Sequence, residues 1–283
     1  MEIQILAVPY DSGHRGLRMG AGPEALLKAG LVDALREEGH TVHVRIAELD
    51  AHQWHAEIQS SFELMRMLST AVREARKASR FPIILAGNCN TAVGTLAGVG
   101  AGTTAVAWFD AHADFNTPET TTSGFLDGTA VAILTGRCWT QLAATVPGFA
   151  PLPDNRISLI GTRDIDSLES ALLDDSAVTI VEAKRLREDL PMALRSVAEH
   201  VDEIYVHLDL DVLDAGVAAA NKFAVTGGLT LEDVDFALSR IGKAFRITSM
   251  ALTAYDPDAD GNGRAARAAI ELIKTAASVA SRA

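Results

Sequence analysis

Apolar residues fall in short, nearly unbroken runs along the chain, at Ile3–Val8, Thr41–Ile46, Pro82–Ala86, Thr104–Phe109, Arg156–Ile160, Ala177–Val181, Glu203–Leu208 and Arg246–Ala251. A strand with one wet face alternates apolar and polar residues. These runs do not, which predicts strands covered on both faces, as in a parallel sheet. Helical periodicity fills the intervals: Pro23–Glu38, Trp54–Ala78, Thr91–Val99, Leu168–Leu173, Pro191–His200, Leu231–Ile241 and Arg264–Ala280. Pro23 and Pro191 are predicted at first helical positions, where a missing N–H costs nothing. Strands alternating with helices define an α/β protein. No linker, charge block or repeat divides the chain, so residues 1–283 are expected to form a single domain.

In open parallel sheets, ligands bind beyond the carboxyl ends of the strands. Polar clusters that follow a strand directly are therefore the candidates for chemistry. Thr104–Phe109 runs straight into Asp110-Ala111-His112-Ala113-Asp114, and alternation in an extended segment places the three polar side chains on one side. Glu203–Leu208 delivers Asp209 and Asp211 in the same way, whereas Asp214 reads as a structural turn residue. Four carboxylates and one imidazole are costly to bury without a compensating cation. Oxygen and nitrogen donors in this mixture suit Mn²⁺ or a similar divalent ion. Five such ligands exceed what one catalytic metal needs. They point to a metal pair that activates a shared water for hydrolysis.

Two weaker clusters follow other strands. Gly87-Asn88-Cys89-Asn90 trails Pro82–Ala86, and Cys89 there is expected to be a thiolate of depressed pKa at a helix N-terminus, able to ligate metal. Cys138 sits in an apolar stretch and reads as core. Gly161-Thr162-Arg163-Asp164-Ile165-Asp166 reads, taken alone, as a turn with a helix cap at Asp166, or else as a substrate-facing loop in which Asp164 or Asp166 receives a cationic group. Gly98–Gly102 lacks dinucleotide-loop spacing, and the segment from Asp256 lacks the final Glu of a calcium loop. His52 and His55 read as solvated.

The chain carries 25 Lys and Arg against 37 Asp and Glu, a formal charge of −12. That balance argues against nucleic acid or an anionic membrane as partner and favours cationic ligands. Two cysteines cannot make a disulfide framework. The N-terminus has no basic leader and no run is long enough to span a membrane, so a cytoplasmic location is expected.

Asp110-Ala111-His112-Ala113-Asp114 followed by Asp209-Leu210-Asp211 resembles the arginase/agmatinase (ureohydrolase) superfamily. Gly22-Pro23, Asn116-Thr117-Pro118, Ser123-Gly124, Gly161–Asp166 and Gly227-Gly228-Leu229-Thr230 match in order. The resemblance implies a three-layer αβα fold with an eight-stranded, mainly parallel sheet and a homo-oligomer, trimer or hexamer. It also implies two Mn²⁺ ions whose shared hydroxide attacks the carbon of a guanidino or amidino substrate. By position, Asp114 and Asp209 would hold the first metal, His112 and Asp211 the second, and Asp110 and Asp209 would bridge them. Asn116 and Ser123 would join Asp164 and Asp166 in binding the substrate.

Three positions depart from the family pattern. Cys89 stands where a ligating His is usual, Asp127 where a proton-shuttling His is usual, and Ala254 where a Glu holds the guanidinium. Asp127, Asp256 and His14 are the candidates to take over a missing catalytic role, with Asp127 the one expected to transfer protons and His14 the second catalytic candidate. The Cys substitution, with Asn116–Thr121, is similar to the Nω-hydroxyarginine amidinohydrolase branch, which implies a hydroxyguanidino substrate. Two other readings fit part of this pattern: a non-catalytic binding protein on the same fold, and a deacetylase-like amide hydrolase with one Zn²⁺.

Overall fold

The structure, a computed structural model, describes residues 1–50 and 56–282. The strands are β1 (Glu2–Val8), β2 (Tyr10–Asp11), β3 (His14–Arg15), β4 (Thr41–Ile46), β5 (Phe81–Ala86), β6 (Thr104–Phe109), β7 (Ile157–Ile160), β8 (Thr179–Val181), β9 (Glu203–Asp209) and β10 (Arg246–Thr253). The helices are α1 (Gly22–Lys28), α2 (Leu31–Glu37), α3 (Glu57–Lys77), α4 (Ala92–Val99), α5 (Ala130–Leu134), α6 (Thr140–Ala143), α7 (Ser167–Asp174), α8 (Leu186–Ala198), α9 (Leu231–Ala244) and α10 (Arg264–Ala280). Eight strands form one sheet in the order β4-β1-β5-β10-β9-β6-β7-β8, parallel throughout, and β2 and β3 make a small antiparallel ribbon.

Alternate residues of the central strands feed two separate cores. Ile83, Leu85, Ala105, Ala107, Val206 and Leu208 pack with Leu26, Leu35, Leu190, Leu238 and Ile273 on one face. Ile84, Ala86, Val106, Trp108 and Tyr205 pack with Phe62, Met65, Val93 and Ile133 on the other. This double coverage is why the strands lack polar alternation, and it makes the three layers. Among the described residues no helix is long and apolar enough to cross a membrane.

Several helix boundaries depart from the sequence pattern. The helix expected over Pro23–Glu38 is two helices, broken where Gly30 adopts φ +97°, a backbone state that glycine enters without a Cβ clash. Cys89–Thr91 forms a 3-10 turn ahead of α4. Pro191 lies inside α8 rather than at its start. The buried stripe of Leu186, Leu190, Ala193, Leu194 and Val197 carries the helix past the one hydrogen bond that proline removes. Residues Trp54 and His55 of the expected third helix, and His52, lie outside the described residues.

Candidate metal centre

The candidate ligands come from the middle of the sheet. β6 and β9 are neighbours with Phe109 beside Leu208, so the residues that follow, Asp110 and Asp209, emerge side by side. Asp209 ends β9 and its carboxylate accepts the Asp211 N–H at 2.9 Å, winding the turn that brings Asp211 back to the same point. β5 supplies Cys89 through a tight Gly87-Asn88 link, where a Cβ at Gly87 would run into the Tyr10 carbonyl. β10 places Thr253 beside Asp209. Arg163 fastens two of these loops, donating to the carbonyls of Gly161 at 3.0 Å, Asp211 at 2.9 Å and Val225 at 2.9 Å.

Two ligand groups result, and they share one carboxylate. Cys89, Asp110 and Asp209 each offer a donor atom within 4.8 Å of the others, as do Asp110, His112 and Asp211. His112 Nδ1 lies 3.2 Å from Asp110 Oδ1 and 3.6 Å from Asp211 Oδ2, while Cys89 Sγ donates to Asp209 Oδ2 at 3.0 Å. Asp114 lines the same cleft, and the Asp110 and Asp209 carboxylates are among the charges that act on it. Its backbone turns through φ +50°, and its carbonyl accepts the Val131 N–H at 2.8 Å. That left-handed conformation is uncommon for a non-glycine residue and typical of constrained sites.

Burial dominates the electrostatics. It raises the Asp114 and Asp209 carboxyls well above the usual range, neighbouring carboxylates adding to the effect. Burial and Asp110 raise Asp211 to about 6. His112 is pulled down by burial but held up at about 9 by Asp110 and Asp211. The Cys89 thiol is pushed well above its ordinary value, by burial first and then by Asp209, Asp127, Asp114 and Asp110. This reverses the expected depressed thiol pKa. Burial, with four carboxylates behind it, outweighs the dipole of a short helix that does not begin at Cys89. The cluster thus holds more negative charge than it can carry ionised, and a divalent cation supplies the missing compensation.

The cleft has a volume of about 280 Å³. Asn116, Ser123, Asp127, Asp164 and Asp166 all line it. Asn116 Nδ2 donates to Asp166 Oδ2 at 3.2 Å. The Asp127 carboxylate accepts from the Asn90 N–H at 2.8 Å and Asn88 Nδ2 at 3.0 Å, and burial raises it to about 7 against these bonds. His14 is not brought to the cleft. The turn at Ser12 and Gly13, both at positive φ, sends β3 back over the surface and leaves His14 exposed. Asp214 is structural as expected, accepting the N–H groups of Gly216, Gly227 and Gly228 at 2.8, 2.6 and 3.2 Å.

Several other lining groups carry no distinctive signal in the sequence. Glu169 accepts the Phe115 N–H at 2.7 Å, and burial raises it to about 7. Three residues after Asp166, it had the spacing of an ordinary helix cap. Asn221 donates to Asp211 Oδ2 at 3.2 Å and to the Ala254 carbonyl at 2.9 Å. Phe125 and Phe223 stack at the rim with centroids 5.8 Å apart.

An open, doubly covered parallel sheet with overlapping carboxylate, imidazole and thiol donors at its carboxyl edge defines an α/β protein with a metal-type centre. The family model described as "Arginase family" matches residues 1–278. Arginase from Staphylococcus aureus (strain MRSA252) is 29% identical over 293 residues, covering 96% of each chain. Arginase from Bacillus caldovelox is 30% identical over 294 residues, with 96% of each covered. The crystal structure of arginase from Bacillus cereus superposes with a TM-score of 0.88 at 25% identity, covering 98% of each chain. The chain belongs to the arginase family and is a hydrolase of that family.

Proposed function

We propose that the chain, residues 1–283 acting as one domain, is a binuclear manganese-dependent hydrolase. Its reaction cleaves a C–N bond of a guanidino or amidino compound, hydroxyguanidino compounds included. The observation that carries this reading is the pair of ligand groups sharing Asp110 on the floor of an acidic cleft. The donor set fits such a centre: Cys89, Asp110 and Asp209 would hold one ion, and Asp110, His112 and Asp211 the other. Asp114, on the wall beside them, would join Cys89 and Asp209 on the first of these ions. A bound divalent pair supplies Lewis acidity and lowers the pKa of water.

The remaining roles belong to the chain's own side chains. Asp127, held at about 7 and fixed by Asn88 and Asn90, is placed to take a proton and return it to the departing amine near neutral pH. Asp164 and Asp166 offer negative charge to the far end of the substrate, and Asn116 and Ser123 offer hydrogen bonds. Ala254 lines the cleft without a carboxylate. A hydroxyguanidine is less basic than a guanidine, so it gives up less by the absence of that partner, which supports a hydroxyguanidino substrate. The other expectations stay with this reading: a small-molecule substrate, a homo-oligomer, a cytoplasmic location.

The test joins metal analysis of the purified protein to product release. Two manganese ions per chain, with urea or hydroxyurea released from one member of a guanidino and hydroxyguanidino panel, is the expected result. One tightly held zinc, or metal-loaded protein inert on the whole panel, overturns it.

A further inference from the structure

Behind the Cys89 side of the centre lies a hydrogen-bonded chain that reaches into the core. Thr253 Oγ1 is 3.1 Å from Cys89 Sγ, 3.5 Å from Asp209 Oδ2 and 3.2 Å from His207 Nε2. His207 Nδ1 is in turn 2.9 Å from the Tyr205 hydroxyl. Thr253, His207 and Tyr205 are fully buried. The His207 ring stacks on Trp108 at 3.6 Å and 7° between planes, and Trp108 Nε1 donates to Asp110 Oδ2 at 3.1 Å. One imidazole is therefore linked to three candidate ligands, through Thr253 to Cys89 and Asp209 and through Trp108 to Asp110.

A neutral imidazole has one donor and one acceptor, so the hydrogens of this chain run in a single direction. When the Tyr205 hydroxyl donates to Nδ1, Nε2–H donates to Thr253, and the single Thr253 hydrogen goes to the sulfur at 3.1 Å or to Asp209 Oδ2 at 3.5 Å, the sulfur being the nearer acceptor. That direction agrees with Cys89 giving its own hydrogen to Asp209. It also serves a sulfur bound to metal, because the Thr253 hydrogen bond needs no rearrangement when an ion joins Cys89 and Asp209. Groups that fix the direction of a ligand in this way commonly change metal affinity by about 10–100-fold when removed.

We infer that Thr253, His207 and Tyr205 are positioning residues for Cys89, and that this chain decides whether the sulfur half of the centre takes up its ion. The inference rests on the proposed binuclear centre with Cys89 as ligand. In substitutions, Thr253→Val keeps the shape and removes the hydroxyl, Thr253→Ser restores the hydroxyl, and His207→Phe keeps the stack on Trp108 and removes both ring nitrogens.

The probe is Co²⁺ added to metal-free protein. It is read by the sulfur-to-cobalt charge-transfer band in the near ultraviolet and by cobalt bound per chain, with circular dichroism confirming the fold of each variant. The parent chain is expected to bind two cobalt ions and show the band. Thr253→Val and His207→Phe should weaken the band-producing site by about tenfold or more while the His112 side fills normally, and Thr253→Ser should recover most of the loss. Both variants showing the parent's band and affinity would overturn the positioning role and leave Cys89 a ligand. A parent chain without the band, binding cobalt as Cys89→Ser does, would overturn the ligand assignment and this inference with it.

Discussion

The two halves of the centre share Asp110 yet occupy different environments. Cys89 is 2% exposed and Asp209 4%, and behind them stand Thr253, His207 and a core of aromatic rings. The opposite half opens to the cleft, where the His112 side chain is 29% exposed and faces Asp164 at 3.9 Å. One half includes sulfur and is buried throughout. In the other, Asp211 is as buried as Cys89 and only the His112 imidazole is partly exposed. Donor softness thus differs across a single carboxylate, so ions held at the two halves would not be expected to match in affinity.

Removing the shared group is the largest test of that contrast. Asp110→Asn should empty both halves and lower turnover on the order of 10⁴-fold, since metal chemistry and proton transfer fail together. Metal content and kcat measured on one preparation check it. Activity surviving with one ion bound would mean that the halves do not depend on their common ligand. Asp127→Asn should leave both ions in place and cut kcat by about 100-fold, flattening the arm of the pH profile near 7. A change in KM alone would remove Asp127 from proton transfer.

Single-half substitutions sharpen the comparison further. Cys89→Ser should weaken one ion by about tenfold or more and shift the preference of the sulfur half toward harder ions, while His112→Asn should weaken only the other. Equilibrium dialysis with Mn²⁺ and Zn²⁺ reads both. Equal losses of both ions in both variants would make the centre one cooperative unit.

The smallest effect concerns pH. Folding raises Asp211 to about 6 and Asp127 and Glu169 to about 7, so the folded chain keeps protons that the unfolded chain releases at lower pH. Metal-free protein should therefore lose stability from about pH 4 to about 7. His112, at about 9, extends the loss upward, because its charged form is also favoured by folding. Tm should fall by a few degrees between pH 5.5 and 8.5 without metal, and added Mn²⁺ should flatten or invert the trend. A metal-free Tm that rises over that range contradicts the electrostatic picture.

How much of this was visible in the residues follows from geometry. Asp110, His112, Asp209 and Asp211 were legible because an acid or imidazole directly after an all-apolar strand has few structural explanations. Thr253 was not. It ends a run that reads as complete at Ala251, and threonine is an ordinary strand residue. Asn221 lies in a small-residue loop with no periodicity, so nothing local marks it as a partner of Asp211. His14 failed in the opposite way, since a polar residue near the amino terminus carries no information about the direction of a tight ribbon. Pro191 shows a local rule overruled by a buried leucine stripe. The Cys89 thiol was misjudged because it responds first to burial and then to carboxylates that lie far away in sequence, neither of which its neighbours reveal.

That distance has a consequence for how the chain acquires its centre. Cys89 meets Asp209 across 120 residues and Thr253 across 164. Contacts of such span close late in folding, after the entropy of long loops has been overcome. The last central strand to be synthesised, β10, sits between β5 and β9, the strands that carry Cys89 and Asp209. A nascent chain therefore has no complete sulfur half to offer until its final quarter has inserted into the middle of the sheet. The metal uptake proposed for that half would then be a timestamp for completed folding, and truncation before β10 should leave a chain that never acquires it.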